Sequence, residues 1–91
     1  TALHLAAAGG HANVVVELLA RRADIDVKDD VSSTPLHLGA AYGHIDVVRT
    51  LVEKGAKTDV RDDDEKTPLD LAVANDHNEV ADYLRMHGEK K

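Results

Sequence analysis

The chain has no cysteine, no tryptophan and no phenylalanine, and its 91 residues include only two prolines, two tyrosines and one methionine. Without cysteine no disulfide can brace the fold and no thiol can act as a nucleophile, a composition that fits a reducing compartment. Two aromatic side chains, Tyr42 and Tyr83, make no stacking platform for bases. Positive charge is also scarce: 11 basic residues face 17 acidic ones, a formal net charge of −6 that opposes a phosphate backbone. No apolar run approaches the roughly 20 residues needed to span a bilayer, and the first residues lack the basic and apolar pattern of a leader. Neither nucleic acid nor a membrane is therefore an expected partner, and the expected location is intracellular, cytoplasmic or nuclear. What remains for a core is Leu, Val, Ile and Ala, which suit closely spaced helices better than a large ligand cavity.

What is present is a period. Thr34-Pro35-Leu36-His37-Leu38-Gly39-Ala40-Ala41-Tyr42-Gly43-His44 has a counterpart 33 positions earlier, Thr1 to His11, and another 33 positions later, Thr67 to His77. Repetition at such a spacing marks an array of small units that share one core, because none can bury its own apolar face alone.

The middle unit shows the local logic. Thr34 is an N-cap, and Pro35 follows at the first helical position, where its missing N–H costs nothing. Leu36, Leu38, Gly39, Ala40 and Ala41 continue a short apolar helix whose small residues permit close approach, and Gly43 ends it. A second helix is predicted from Ile45 to Lys54. Its stripe is Ile45, Val48 and Val52, widened by Val47 and Leu51, with Gly55 as the left-handed residue after it. Residues 56–66 lack helical periodicity and read as an extended excursion with a turn at its tip. The same plan predicts second helices from Ala12 to Arg21, with Val14, Val15, Leu18 and Leu19 apolar, and from Asn78 to His87, with Val80, Ala81 and Leu84 apolar.

Chemistry-bearing residues are present but poorly arranged for chemistry. Six histidines invite a metal, yet equivalent positions in stacked helices lie roughly 8–10 Å apart, too far to share one zinc ion. Asp62-Asp63-Asp64-Glu65 lacks the alternation, the central Gly and the distant Glu of a calcium loop, so it reads as a solvated acidic tip. Ser32, Ser33, Thr34 and His37 sit close together, but capping and turn formation explain them better than a nucleophile pair. No metal, no cofactor and no catalytic residue are expected.

With the motif at 34–38, Gly43-His44, Val47-Val48, Gly55-Ala56 and the aspartates 29 and 62 in register, the chain resembles the ankyrin repeat family, whose unit carries T-P-L-H-x-A. The resemblance implies an all-α solenoid of three stacked helix-turn-helix units with projecting β-turn loops. It divides a single domain, 1–91, into a first repeat at 1–28 without its leading loop, a second at 29–61, and a C-terminal capping repeat at 62–91. Thr34, Pro35, His37, Gly43, His44, Gly55, Thr67 and Pro68 are then structural. The motif histidine is expected to hydrogen-bond between neighbouring loops, and the Gly-His histidine to order the turn between helices.

Departures from the pattern carry expectations of their own. Ser32 and Glu65 stand where the family usually has Gly, which puts the turn geometry in question. Arg22 stands where Gly55 and Gly88 stand in the other units, so strain is expected there. Asn78 and Arg85 replace the counterparts of Ile45 and Val52, as a polar terminal face requires. Val16 lies on the presumed solvent side, which suggests that the array extends upstream.

The implied function is a non-enzymatic protein-binding module using a concave strip of loop tips and first helices. Lys28, Asp30, Val31, Ser33, Arg61, Asp63, Asp64 and Lys66 are the loop residues of that strip. Ala41, Tyr42, Ala74 and Asn75 are its helix residues, with Tyr42 the foremost anchor. The partner is expected to be a protein, with the acidic loop favouring a basic surface, and the chain itself a monomer unless its first face pairs. The alternatives are an architectural or capping segment of a longer solenoid, or an engineered scaffold, although the differences among the units lean away from the latter.

Overall fold

A computed structural model describes residues 1–87. Six helices follow one another: α1 (Ala2–Gly9), α2 (Ala12–Ala20), α3 (Pro35–Ala41), α4 (Ile45–Glu53), α5 (Pro68–Ala74) and α6 (Asn78–His87). No strand occurs among the described residues. The helices form three pairs. In one layer α3 lies between α1 and α5, in the other α4 lies between α2 and α6, and each pair packs its two helices on one another. Helices α2 and α4 each end one residue before the predicted Arg21 and Lys54, and the predicted span for α6 agrees.

Each first helix starts on a capping box. The Thr1, Thr34 and Thr67 hydroxyls accept the N–H of His4, His37 and Asp70, and those residues' side chains return to the cap. Each first helix also ends in one way. The N–H of His11, His44 and His77 reaches back to the carbonyl of Ala6, Gly39 and Ala72 at 2.8–2.9 Å, the closure made by a left-handed residue just past the helix. That residue is Gly10, Gly43 and, in the last pair, Asp76 at φ 62°. Asp76 thus adopts a left-handed conformation that, among non-glycine residues, was expected of Arg22 alone.

Arg22 does adopt positive φ (71°), as the counterpart Gly55 does at 98°. Ser32 and Glu65 do so too, at 64° and 65°. The turn geometry left in question is therefore kept without glycine. The Asp29 and Asp62 carbonyls accept the Ser32 and Glu65 N–H at 3.0 and 2.9 Å, and the Asp29 and Asp62 N–H groups donate to the Ser33 and Lys66 carbonyls. Each loop is thus a tight turn closed by one left-handed residue.

The core runs through all three pairs: Leu3, Ala6 and Ala7 from α1, Val15 from α2, Leu36 and Ala40 from α3, and Val47, Val48 and Leu51 from α4, with Ala72, Val80, Ala81 and Leu84 beyond. In α4 the fully buried stripe is Val47, Val48 and Leu51, while Ile45 and Val52, expected at its centre, are half-buried. The stripe turns toward Val47 because α4 must face both its own α3 and the neighbouring α2 and α6. Gly39 matters for that contact, since a Cβ there would sit 3.0 Å from Val47 Cγ1. Every buried side-chain nitrogen and oxygen among the described residues has a hydrogen-bond partner. Gly88, the expected counterpart of Gly55, lies outside the described residues.

Candidate protein-binding surface

The loop tips are ordered by their own aspartates. Asp29 Oδ1 accepts the Val31 and Ser33 N–H groups at 3.0 and 2.9 Å, and Asp62 Oδ1 accepts those of Asp64 and Lys66 at 2.9 Å. Burial pushes the Asp29 carboxyl up, but the two N–H bonds and the nearby His4 outweigh it and hold the group below its ordinary value.

Histidine then ties each loop to the pair before it. The Thr34 N–H donates to His37 Nδ1 (3.0 Å), so that ring nitrogen accepts and Nε2–H donates to the Lys66 carbonyl (2.8 Å). His4 Nε2 makes the same bond to the Ser33 carbonyl (2.8 Å). This is the loop-to-loop role the resemblance implied. In the third pair Asp70 stands at this position and, among the described residues, bonds to its own cap, Thr67.

His44 reaches farther than expected. Its ring lies over Gly10, where a Cβ would come within 2.7 Å of Nδ1, and its Nε2–H donates to the Ala8 carbonyl of the preceding pair (2.9 Å). The His77 ring covers Gly43 in the same way. The Gly-His histidine therefore couples neighbouring pairs besides shaping its own turn.

This frame presents most of the expected surface. Lys28, Asp30, Val31, Arg61, Asp63, Asp64 and Lys66 are exposed at the loops. The Asp63 N–H donates to the Val31 carbonyl (3.0 Å), which places the two tips side by side, and the Arg61 guanidinium holds the Glu65 carbonyl at 3.0 Å. Tyr42 is 60% exposed at the end of α3. Asn75 Nδ2 donates to the Ala41 carbonyl (3.2 Å), which joins the α5 end to the α3 end, with Ala41 half-buried and Ala74 exposed.

Ser33 is the exception, at 6% exposure. It sits where the turn closes onto the His4 ring, so it faces the preceding pair and is not offered to a partner. Tyr83 is not part of the strip either. Its ring lies 4.4 Å from that of His87 with the Arg49 guanidinium 5.8 Å above it, and burial followed by the Glu53 carboxylate raises its phenol pKa. Among the described residues no three of His, Asp and Glu gather as a metal site, and no helix is long and apolar enough to cross a membrane.

Three helix pairs, each capped by Thr, linked by histidine and joined by short turned loops, define a stacked helical repeat. A family model for ankyrin repeats matches residues 3–91 in three copies, and the chain belongs to the ankyrin repeat family. A search of curated proteins returned no match. Ankyrin repeats are generally protein–protein interaction modules, and the family is typically non-enzymatic.

Proposed function

We propose that the chain binds a partner protein through its paired loop tips and the ends of α3 and α5. The observation that carries this reading is Tyr42, a large rigid side chain left 60% exposed in a chain with only one other aromatic. Rigid amphipathic aromatics of this kind concentrate binding energy. The surrounding loop residues are exposed yet held by backbone hydrogen bonds, so little ordering entropy opposes association. Asp30, Asp63 and Asp64 favour a partner with a basic surface, and their effect falls mainly on association rate and partner choice. The module works in an intracellular compartment on this reading.

Affinity capture from a cell extract tests it, comparing the native chain with a variant carrying Tyr42→Ala, Arg61→Ala and Asp63→Ala. A protein retained by the native chain and lost by the variant supports the assignment. With that protein in hand, Tyr42→Ala alone is expected to weaken binding about tenfold or more while leaving the unfolding midpoint nearly unchanged. Equal retention by both chains removes the strip from consideration.

A further inference from the structure

The first helices of the three pairs end on Gly9, Tyr42 and Asn75, which share one register and are all exposed. Two bonds between pairs hold this row together. His44 Nε2–H donates to the Ala8 carbonyl at 2.9 Å, and one repeat later Asn75 Nδ2 donates to the Ala41 carbonyl at 3.2 Å. Asn75 Nδ2 also donates to the Leu71 carbonyl at 3.0 Å. Both partners are carbonyl oxygens, so both must face the amide NH2 group. Asn75 Oδ1 is thereby fixed as an acceptor without a partner among the described residues, on an exposed side chain.

The residue after it departs from the pattern. Gly10 and Gly43 follow the ends of the first two of these helices, and Asp76 takes that place in the third at φ 62°. An aspartate there gives up the ease of glycine and adds a carboxylate. That carboxylate is exposed and pairs with no cation among the described residues, whereas Glu17, Asp46 and Asp82 each hold an arginine. Tyr42 stands one interhelical distance from Asn75, roughly 8–10 Å. On its other side the register position is Gly9, which has no side chain to cover the ring. The His44 ring lies 6.4 Å away, tilted by 35°, and so braces the tyrosine without stacking flat on it.

We infer that Tyr42, Asn75 and Asp76 form a site for one arginine side chain carried by an extended segment of the partner protein. This rests on the reading that the strip binds a protein, and it names what one end of the strip recognises. The chemistry selects the occupant. A guanidinium is planar, so it lies on a tyrosine ring and still donates along its edge. Its fork of N–H donors suits an amide oxygen and a carboxylate on neighbouring residues. A lysine ammonium is a compact, strongly hydrated charge and lacks that flat face. Anions are opposed by Asp76 and by the net charge of −6. Helix α3 has 7 residues, a length of about 10 Å, which an extended segment covers in about three residues. A segment seated by its arginine therefore runs on toward the acidic tip at Asp63 and Asp64.

The test is an NMR titration of the isotope-labelled chain with N-acetyl-arginine methylamide, with N-acetyl-lysine methylamide as the control. The arginine probe is expected to move the Asn75 side-chain amide and the Tyr42 and Asp76 backbone signals, and to bind about threefold or more tighter than the lysine probe. Asp76→Gly suits the left-handed backbone and so keeps the fold. It is expected to weaken the arginine probe about two- to fivefold. Tyr42→Leu is expected to bring the arginine probe down to the lysine level. Equal affinity for the two probes, shifts confined to the loop tips, no shift at all, or indifference to both substitutions overturns the inference. Capture judges the strip separately. If the native chain retains a protein that the triple variant loses while the probe fails, the strip stands and the arginine site falls. If the probe binds as expected while capture is equal for both chains, the arginine site stands and the strip falls.

Discussion

The second and third helix pairs begin with the same cap and end up in different surroundings. Thr34 and His37 are fully buried, and His37 spends its far nitrogen on a carbonyl 29 residues away. Thr67 is half-buried and Asp70 exposed, and both stay within their own turn. Local sequence makes the helix start in either case. Position in the stack decides whether that start also fastens one pair to the next, and a carboxylate cannot, because it has no proton to give a carbonyl.

Ways to break the contrast follow from burial. Leu51, fully buried in the middle pair, and Leu18, its half-buried counterpart, differ in what surrounds them. Leu51→Ala is expected to cost about 2–5 kcal/mol and Leu18→Ala roughly 1–2 kcal/mol, read from urea unfolding. Equal costs would mean that the pairs do not share one core. Next comes the histidine. His37→Ala leaves the Lys66 carbonyl and the Thr34 N–H without their partner and is expected to cost about 2–4 kcal/mol, against about 0.5–1 kcal/mol for Asp70→Ala, which loses only a cap.

Two smaller effects sharpen the comparison. Arg22 and Glu65 hold positive φ where a glycine would do so without strain. Arg22→Gly and Glu65→Gly are each expected to stabilise by about 0.5–1 kcal/mol, measured by thermal melting. Gly43→Ala should go the opposite way, since its Cβ would fall 2.5 Å from His77 Nδ1. The smallest effect concerns acid. The Asp29 carboxyl is held below its ordinary value of about 3.8 in the folded chain, so the stability it contributes is present above that value and lost as pH falls below it. Asp29→Asn, whose amide oxygen can still accept the two N–H bonds, is expected to flatten the acid limb of the unfolding midpoint between about pH 4 and pH 2. An unchanged acid limb would take Asp29 out of the account.

Much of this was legible in the sequence because the signals are local. Thr-Pro fixes a helix start, Gly43 and Gly55 fix two stops, and the spacing of Val80, Ala81 and Leu84 fixes a buried face. Residues whose role depends on a neighbouring pair were harder to read. Ser33 looked like an exposed turn residue, yet its carbonyl meets His4 across the stack. His44 looked like a turn residue, yet it reaches Ala8. Asp76 carried a signal that could have been used, since it falls in the register of Gly10 and Gly43, which have positive φ. The exposure of the loop tips was legible except at Ser33, because it follows from the turn itself, whereas inward rotation depends on what the turn closes against.

The histidine links have a mechanical corollary. Each joins a pair only to the one beside it: His4 to Ser33, His44 to Ala8 and His37 to Lys66. A load applied to the two chain ends would therefore pass through these fastenings in series. Stretching a single molecule should peel it open one helical hairpin at a time, with the outermost yielding first, much as a zip gives way tooth by tooth.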